Sequence, residues 1–84
     1  MKYYVYILKS QKDPEQFYIG YTTDLENRME QHQNPKASAY TRQYAPWELE
    51  TYAVFKDKEL AQQFEIYLKN HSGRAFLRKH LIKI

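Results

Sequence analysis

YIGYTTDLENRMEQH, residues 18–32, is the stretch from which the rest of the chain can be placed. It opens as a strand, because Phe17, Tyr18, Ile19 and Tyr21 are aromatic or β-branched side chains that suit a pleated surface. It turns into a helix at Thr23. Thr23-Asp24-Leu25-Glu26 has the pattern of a capping box, and Asp24 and Glu26 place negative charge at the positive end of the helix dipole. Arg28 and His32 then stand four residues apart on one helix face, and Leu25 and Met29 form a second pair suited to packing on a sheet. A strand feeding straight into a helix thus presents a phenol (Tyr18), bare backbone (Gly20), a fixed cation (Arg28) and a titratable base (His32).

The flanking segments supply the remaining elements. Tyr3 to Lys9 alternates with both faces apolar or aromatic, as a covered strand does. Asp13-Pro14 marks a turn between Ser10 and Glu15, and Gln16 to Thr22 returns as the antiparallel partner. In that hairpin Tyr6 and Tyr18 fall near each other on one face. The first helix spans about Asp24 to Gln33 and stops before Asn34-Pro35, since a residue preceding proline disfavours helix. Lys36 to Ala45 reads as a polar loop of basic and aromatic character. Trp47 to Phe55 is a third strand. Asp57 caps a second helix, Lys58 to Asn70, with Leu60, Phe64 and Leu68 as an apolar stripe joined by Ala61 and Tyr67. Ser72-Gly73 ends it, and Arg74 to Ile84 forms a third helix. The order β-β-α-β-α-α predicts a small α+β domain over residues 1–84, with a three-stranded antiparallel sheet and helices packed on it.

Composition narrows the function classes. Cys is absent among the 84 residues, which removes disulfides and thiolate metal sites and suits a cytoplasmic setting. The apolar N-terminal run is too short to span a bilayer, so no membrane association is expected. The net charge of +3 is unevenly spread. Residues 1–65 hold eight Lys/Arg against ten Asp/Glu, whereas Lys69, Arg74, Arg78, Lys79 and Lys83 follow with no acidic residue. A basic end of this kind suits contact with a polyanion, though a solvated basic helix has the same composition.

Taken singly, the candidate residues have structural explanations. Tyr6 and Tyr18 could be core aromatics, Arg28 and His32 a solvated face, and Glu65 the partner of Lys69 one turn later. Together they resemble the GIY-YIG nuclease family. Tyr4-Val5-Tyr6 and Tyr18-Ile19-Gly20 resemble its two half-motifs, with Tyr4 where the first Gly is usual. Arg28, His32 and Glu65 match the positions that follow, as in small bacterial members similar to the nuclease domain of the repair subunit UvrC standing alone. The resemblance implies an endonuclease that hydrolyses DNA phosphodiester bonds, in repair or recombination, with one Mg²⁺ or Mn²⁺ held by Glu65. It implies that Tyr6 and Tyr18 position or deprotonate water, with the metal and Arg28 lowering a phenol's pKa. Arg28 would clamp the phosphate and His32 assist proton transfer. Gly20 would let DNA approach closely. Apart from the resemblance, the basic and aromatic residues Tyr40, Thr41 and Arg42 of the loop, with Arg74, Arg78 and Lys79 of the basic end, are candidates for contacts with a nucleic-acid backbone. The sequence departs from the family at Tyr4, at Tyr21 where the repair branch tends to have Lys, and over residues 73–78, where many active members carry Asn. A catalytically silent nucleic-acid-binding module and a protein-interaction domain are the competing readings.

Overall fold

A computed structural model describes residues 1–34 and 38–83, so the start of the predicted polar loop (35–37) and the predicted helix end at residue 84 lie outside it. The described residues form three strands and four helices: β1 (Tyr3–Ser10), β2 (Phe17–Thr22), α1 (Leu25–Gln33), α2 (Ala39–Gln43), β3 (Trp47–Phe55), α3 (Lys58–Lys69) and α4 (His71–His80). This is the expected α+β arrangement, an antiparallel sheet in the order β2-β1-β3.

The central strand organises the interior. Val5, Tyr6, Ile7 and Leu8 are each no more than 1% exposed, because β1 is covered on both faces. Val5 and Ile7 join Ile19, Ala61, Leu68, Leu77 and Ile82 in a core against α3 and α4. Tyr6, Leu8 and Trp47 form a second cluster, with Leu25 and Met29 of α1 packed on it. A period of two thus sends alternate residues of one strand into two cores.

Several helix boundaries differ from the sequence expectation. Asp24, not Thr23, is the N-cap of α1, its carboxylate accepting the Asn27 N–H at 3.1 Å. The buried Thr22 hydroxyl closes the preceding turn by accepting the Asp24 N–H, and this sets the start of the helix one residue later. Part of the predicted polar loop is helix α2, started by Ser38, whose hydroxyl accepts the Thr41 N–H. Asp57 caps α3 as expected, accepting from Glu59 and Leu60. On α3 the buried stripe is Ala61 and Leu68, with Phe64 partly covered, while Leu60 faces outward at 54% exposure.

The largest shift is at α4, which begins at His71 rather than Arg74. Asn70 ends α3 and caps α4 at once, its side-chain oxygen accepting the Gly73 N–H at 2.9 Å. Gly73 therefore lies inside a helix rather than ending one. A Cβ at that position would sit 1.6 Å from the Tyr67 carbonyl oxygen, so the two helices meet only because the side chain is missing. Gly73→Ala is expected to destabilise the fold by about 3 kcal/mol, as overpacking against rigid backbone does. Denaturant unfolding monitored by circular dichroism measures this.

Candidate active site

The site begins with Tyr6 in the middle of the central strand. Its cross-strand neighbour on β2 is Gly20. A Cβ on Gly20 would lie 2.3 Å from the Tyr6 ring carbon and hydroxyl, so the phenol lies directly over the glycine. The group found over Gly20, where the resemblance implies DNA, is the Tyr6 phenol. Tyr18 projects from β2 on the same face, its ring 6.2 Å from that of Tyr6.

Helix α1 supplies the next two groups. His32 is buried, its Nε2 lies 2.9 Å from the Tyr6 hydroxyl, and its ring sits edge-on to Tyr18 at 4.6 Å. Burial, and secondarily the Arg28 guanidinium, lowers the His32 pKa below the ordinary value. With the imidazole neutral, Nε2 accepts and the phenol donates. Burial also pushes the Tyr6 hydroxyl well above the ordinary phenol range, and the neighbouring Tyr18 and Glu65 push the same way. Arg28 pulls against them through its charge and its N–H groups, the direction expected of it, but burial outweighs the cation.

Glu65 reaches this group from α3. Its carboxylate acts electrostatically on the Tyr6 hydroxyl, and one oxygen, Oε2, accepts from Lys69 Nζ at 3.2 Å. The structural explanation of Glu65 and its place beside Tyr6 therefore hold together. Among the described residues no three His, Cys, Asp or Glu side chains converge to enclose a metal. Glu65 is mostly buried, with a side-chain exposure of 21%, and its second oxygen takes no hydrogen bond from the described residues. A single hard carboxylate of this kind fits a strongly hydrated divalent ion that takes its remaining ligands from water and substrate oxygens.

The structure therefore brings together Tyr6, Tyr18, Arg28, His32 and Glu65. The other sequence candidates scatter. Arg74 lines a groove of about 270 Å³ with Phe17, Tyr18, Ile19, Tyr40 and Lys69. Its guanidinium lies 5.3 Å over the Phe17 ring. Tyr40 belongs to the same groove and donates to the Phe17 carbonyl at 3.0 Å. Thr41 is buried, its hydroxyl bonded to Ser38 and its carbonyl accepting the Trp47 indole N–H, so it faces inward. Arg42 is exposed near the end of α2. Arg78 and Lys79 line a separate groove with Glu50 of β3, the strand at the opposite edge of the sheet from β2. Asn70, the Asn nearest to Glu65 in sequence, is committed to capping α4. Trp47 was missed as a site residue, although its ring lies 6.4 Å from Tyr18 and 5.9 Å from Tyr40. Its only signal in the sequence was being the lone Trp at the head of a strand.

A larger concavity of about 640 Å³ lies along α1 and is lined by Tyr4, Tyr52, Asp24, Glu26 and Glu30 among others. Three carboxylates make it unsuited to a polyanion. The converging groups, rather than this hollow, make the candidate site.

Comparison with known proteins bears on the family of the chain. The GIY-YIG catalytic domain family matches residues 2–79. The UPF0213 protein BH0048 of Halalkalibacterium halodurans is 40% identical over 74 residues, 88% of this chain and 77% of that protein. The UPF0213 protein CPE1444 of Clostridium perfringens is 44% identical over 66 residues, 79% of this chain and 69% of that protein. The solution NMR structure of BH0048 superposes with a TM-score of 0.58 at 37% identity, covering 94% of this chain and 82% of that one.

Two outcomes follow from the buried pair. As pH falls through the ordinary imidazole value of 6.5, the unfolded chain takes up a proton at this position that folded His32 resists. His32 therefore makes stability fall in that window, and His32→Gln flattens the slope there, as thermal unfolding between pH 5 and 8 will record. Gly20→Ala displaces the Tyr6 ring at a cost of about 2 kcal/mol, and breaks the Tyr6–His32 contact seen as a shifted imidazole signal by NMR.

Proposed function

The chain belongs to the GIY-YIG family, and we propose that it is a metal-dependent endonuclease that hydrolyses phosphodiester bonds in DNA. The observation that carries this is the convergence of two phenols, a guanidinium, a neutral imidazole and a carboxylate from four separate elements.

The roles follow from exposure and charge. Tyr6 is fully buried and Tyr18 is half-buried, so Tyr18 is the phenol that meets water and substrate. It orients the water whose oxygen bonds to phosphorus as the ester oxygen departs. Tyr6 and His32 stand behind it: the proton released passes to the Tyr6 hydroxyl as that hydroxyl gives its own proton to Nε2 of neutral His32. Arg28 binds the non-bridging phosphate oxygens, a task its planar fork suits. Glu65 holds the divalent ion, which when bound supplies charge neutralisation for the crowded phosphate and leaving oxygen. A setting in DNA repair or recombination is part of the same proposal. The groove beside Tyr18, with Tyr40, Lys69 and Arg74, extends the contact along the backbone.

A second reading, a nucleic-acid-binding module without turnover, draws on one observation. Glu65 is occupied by Lys69, so the carboxylate is not idle without a metal. Cleavage separates the two. With nicked, branched and single-stranded DNA and Mg²⁺ or Mn²⁺, the wild-type chain is expected to cut at least one substrate. Glu65→Gln and Tyr18→Phe are each expected to lose about 10²-fold or more in rate. Equal rates for wild type and Glu65→Gln on every substrate would leave the binding module standing.

A further inference from the structure

We propose that Lys69 is a mobile counter-ion of the site. It neutralises Glu65 in the free protein and transfers to a phosphate oxygen of the nucleic acid when Glu65 takes up a divalent ion. The inference rests on the reading of Glu65 as the metal-binding carboxylate.

Three observations place Lys69 in that position. Its Nζ is 3.2 Å from Glu65 Oε2, so it holds one of the two carboxylate oxygens, and a cation arriving at either one meets the ammonium charge. Its side chain is half exposed and lines the same groove as Tyr18 and Arg74, so it borders both the carboxylate and the path of the substrate. It is the last residue of α3, and its carbonyl accepts the Arg74 Nε at 3.4 Å, which gathers two cations at the junction with α4.

The chemistry makes the exchange easy. A partly exposed ion pair between residues four apart on a helix is weak, so its loss is offset by any comparable contact. An ammonium on a flexible four-carbon stem can swing between acceptors, whereas a guanidinium held over a ring cannot do so as freely. Metal entering at Glu65 and lysine leaving it are then competing cation contacts with one carboxylate, and the displaced charge finds a new anion in the phosphate. Lys69 is thus a positioning residue for Glu65 and a binding residue for the backbone. Arg78 and Lys79, in the separate groove with Glu50, have no such double position.

The test uses the full chain and two affinities that do not require turnover. Lys69→Met is compared with Lys79→Met, which removes the same charge from the other groove. Circular dichroism first establishes that both variants are folded. Mn²⁺ binding to the free protein, followed by electron paramagnetic resonance, is expected to tighten roughly threefold in Lys69→Met and to stay at the wild-type value in Lys79→Met. Binding of a labelled oligonucleotide without metal is compared with binding in the presence of Ca²⁺. The salt dependence with Ca²⁺ is expected to lose about one phosphate contact in Lys69→Met, and the metal-free slope to change less. Tighter Mn²⁺ binding with an unchanged salt slope would make Lys69 a mere partner of Glu65 and overturn the transfer. Unchanged Mn²⁺ affinity would overturn the competition itself. If both affinities shift as expected in a protein that cuts no DNA, Lys69 keeps its place and the nuclease reading fails. An active nuclease with neither shift removes Lys69 alone.

Discussion

One constraint governs the site: an aromatic ring on the central strand must occupy the space where its cross-strand neighbour's side chain would be. Tyr6 has no exposed surface, and the room for its ring exists only because residue 20 has no side chain. The hydroxyl is thereby held at a fixed point next to His32, Tyr18 and Arg28, and within electrostatic reach of Glu65. A polar group this deep is tolerated only with a hydrogen-bond partner, and the imidazole supplies it. Core packing and site geometry therefore share one contact.

Arg28 ties the electrostatics together. The same guanidinium opposes the upward shift at Tyr6 and adds to the downward shift at His32. At Tyr6 it works against burial, and at His32 it works with it. The outcome is a protonated phenol facing a neutral imidazole, a matched donor and acceptor. Glu65 belongs to the helix layer opposite α1 and carries the other sign, so a cation from one layer and an anion from the other both act on one hydroxyl.

Much of this was legible in the sequence, and the failures have physical causes. The bounds of β3 were read correctly because Trp47 to Phe55 alternates cleanly, and Asp57 announced the start of α3. The start of α4 was misread because Ser72-Gly73 carries the ordinary signature of a helix end. Here glycine serves an approach between two helices, which depends on Tyr67 and not on its own neighbours. The short helix α2 was hidden in a polar segment with no apolar period to reveal it. At the site, Tyr6, Tyr18, Arg28, His32 and Glu65 were identified by type and order, and they converge. Thr41, Arg78 and Lys79 were chosen from composition, which carries no direction. One is buried, and two lie on α4 and line a groove with Glu50 of the far edge strand. Trp47 and Lys69 owe their places to contacts across the fold that no local spacing records.

Helix α1 is moored at both ends. At its start, Asp24 and the buried Thr22 hydroxyl tie it to the end of β2. At its finish, the Gln33 amide grips the head of β3, donating to the Trp47 carbonyl at 2.7 Å and accepting the Trp47 N–H at 3.1 Å. A beam fixed at two supports on opposite borders of the sheet cannot tilt without releasing one of them. Arg28 and His32 ride on the span between those supports. Their aim thus depends on a glutamine outside the converging group, and the spacing of the two edge strands becomes the gauge that holds cation and imidazole in place.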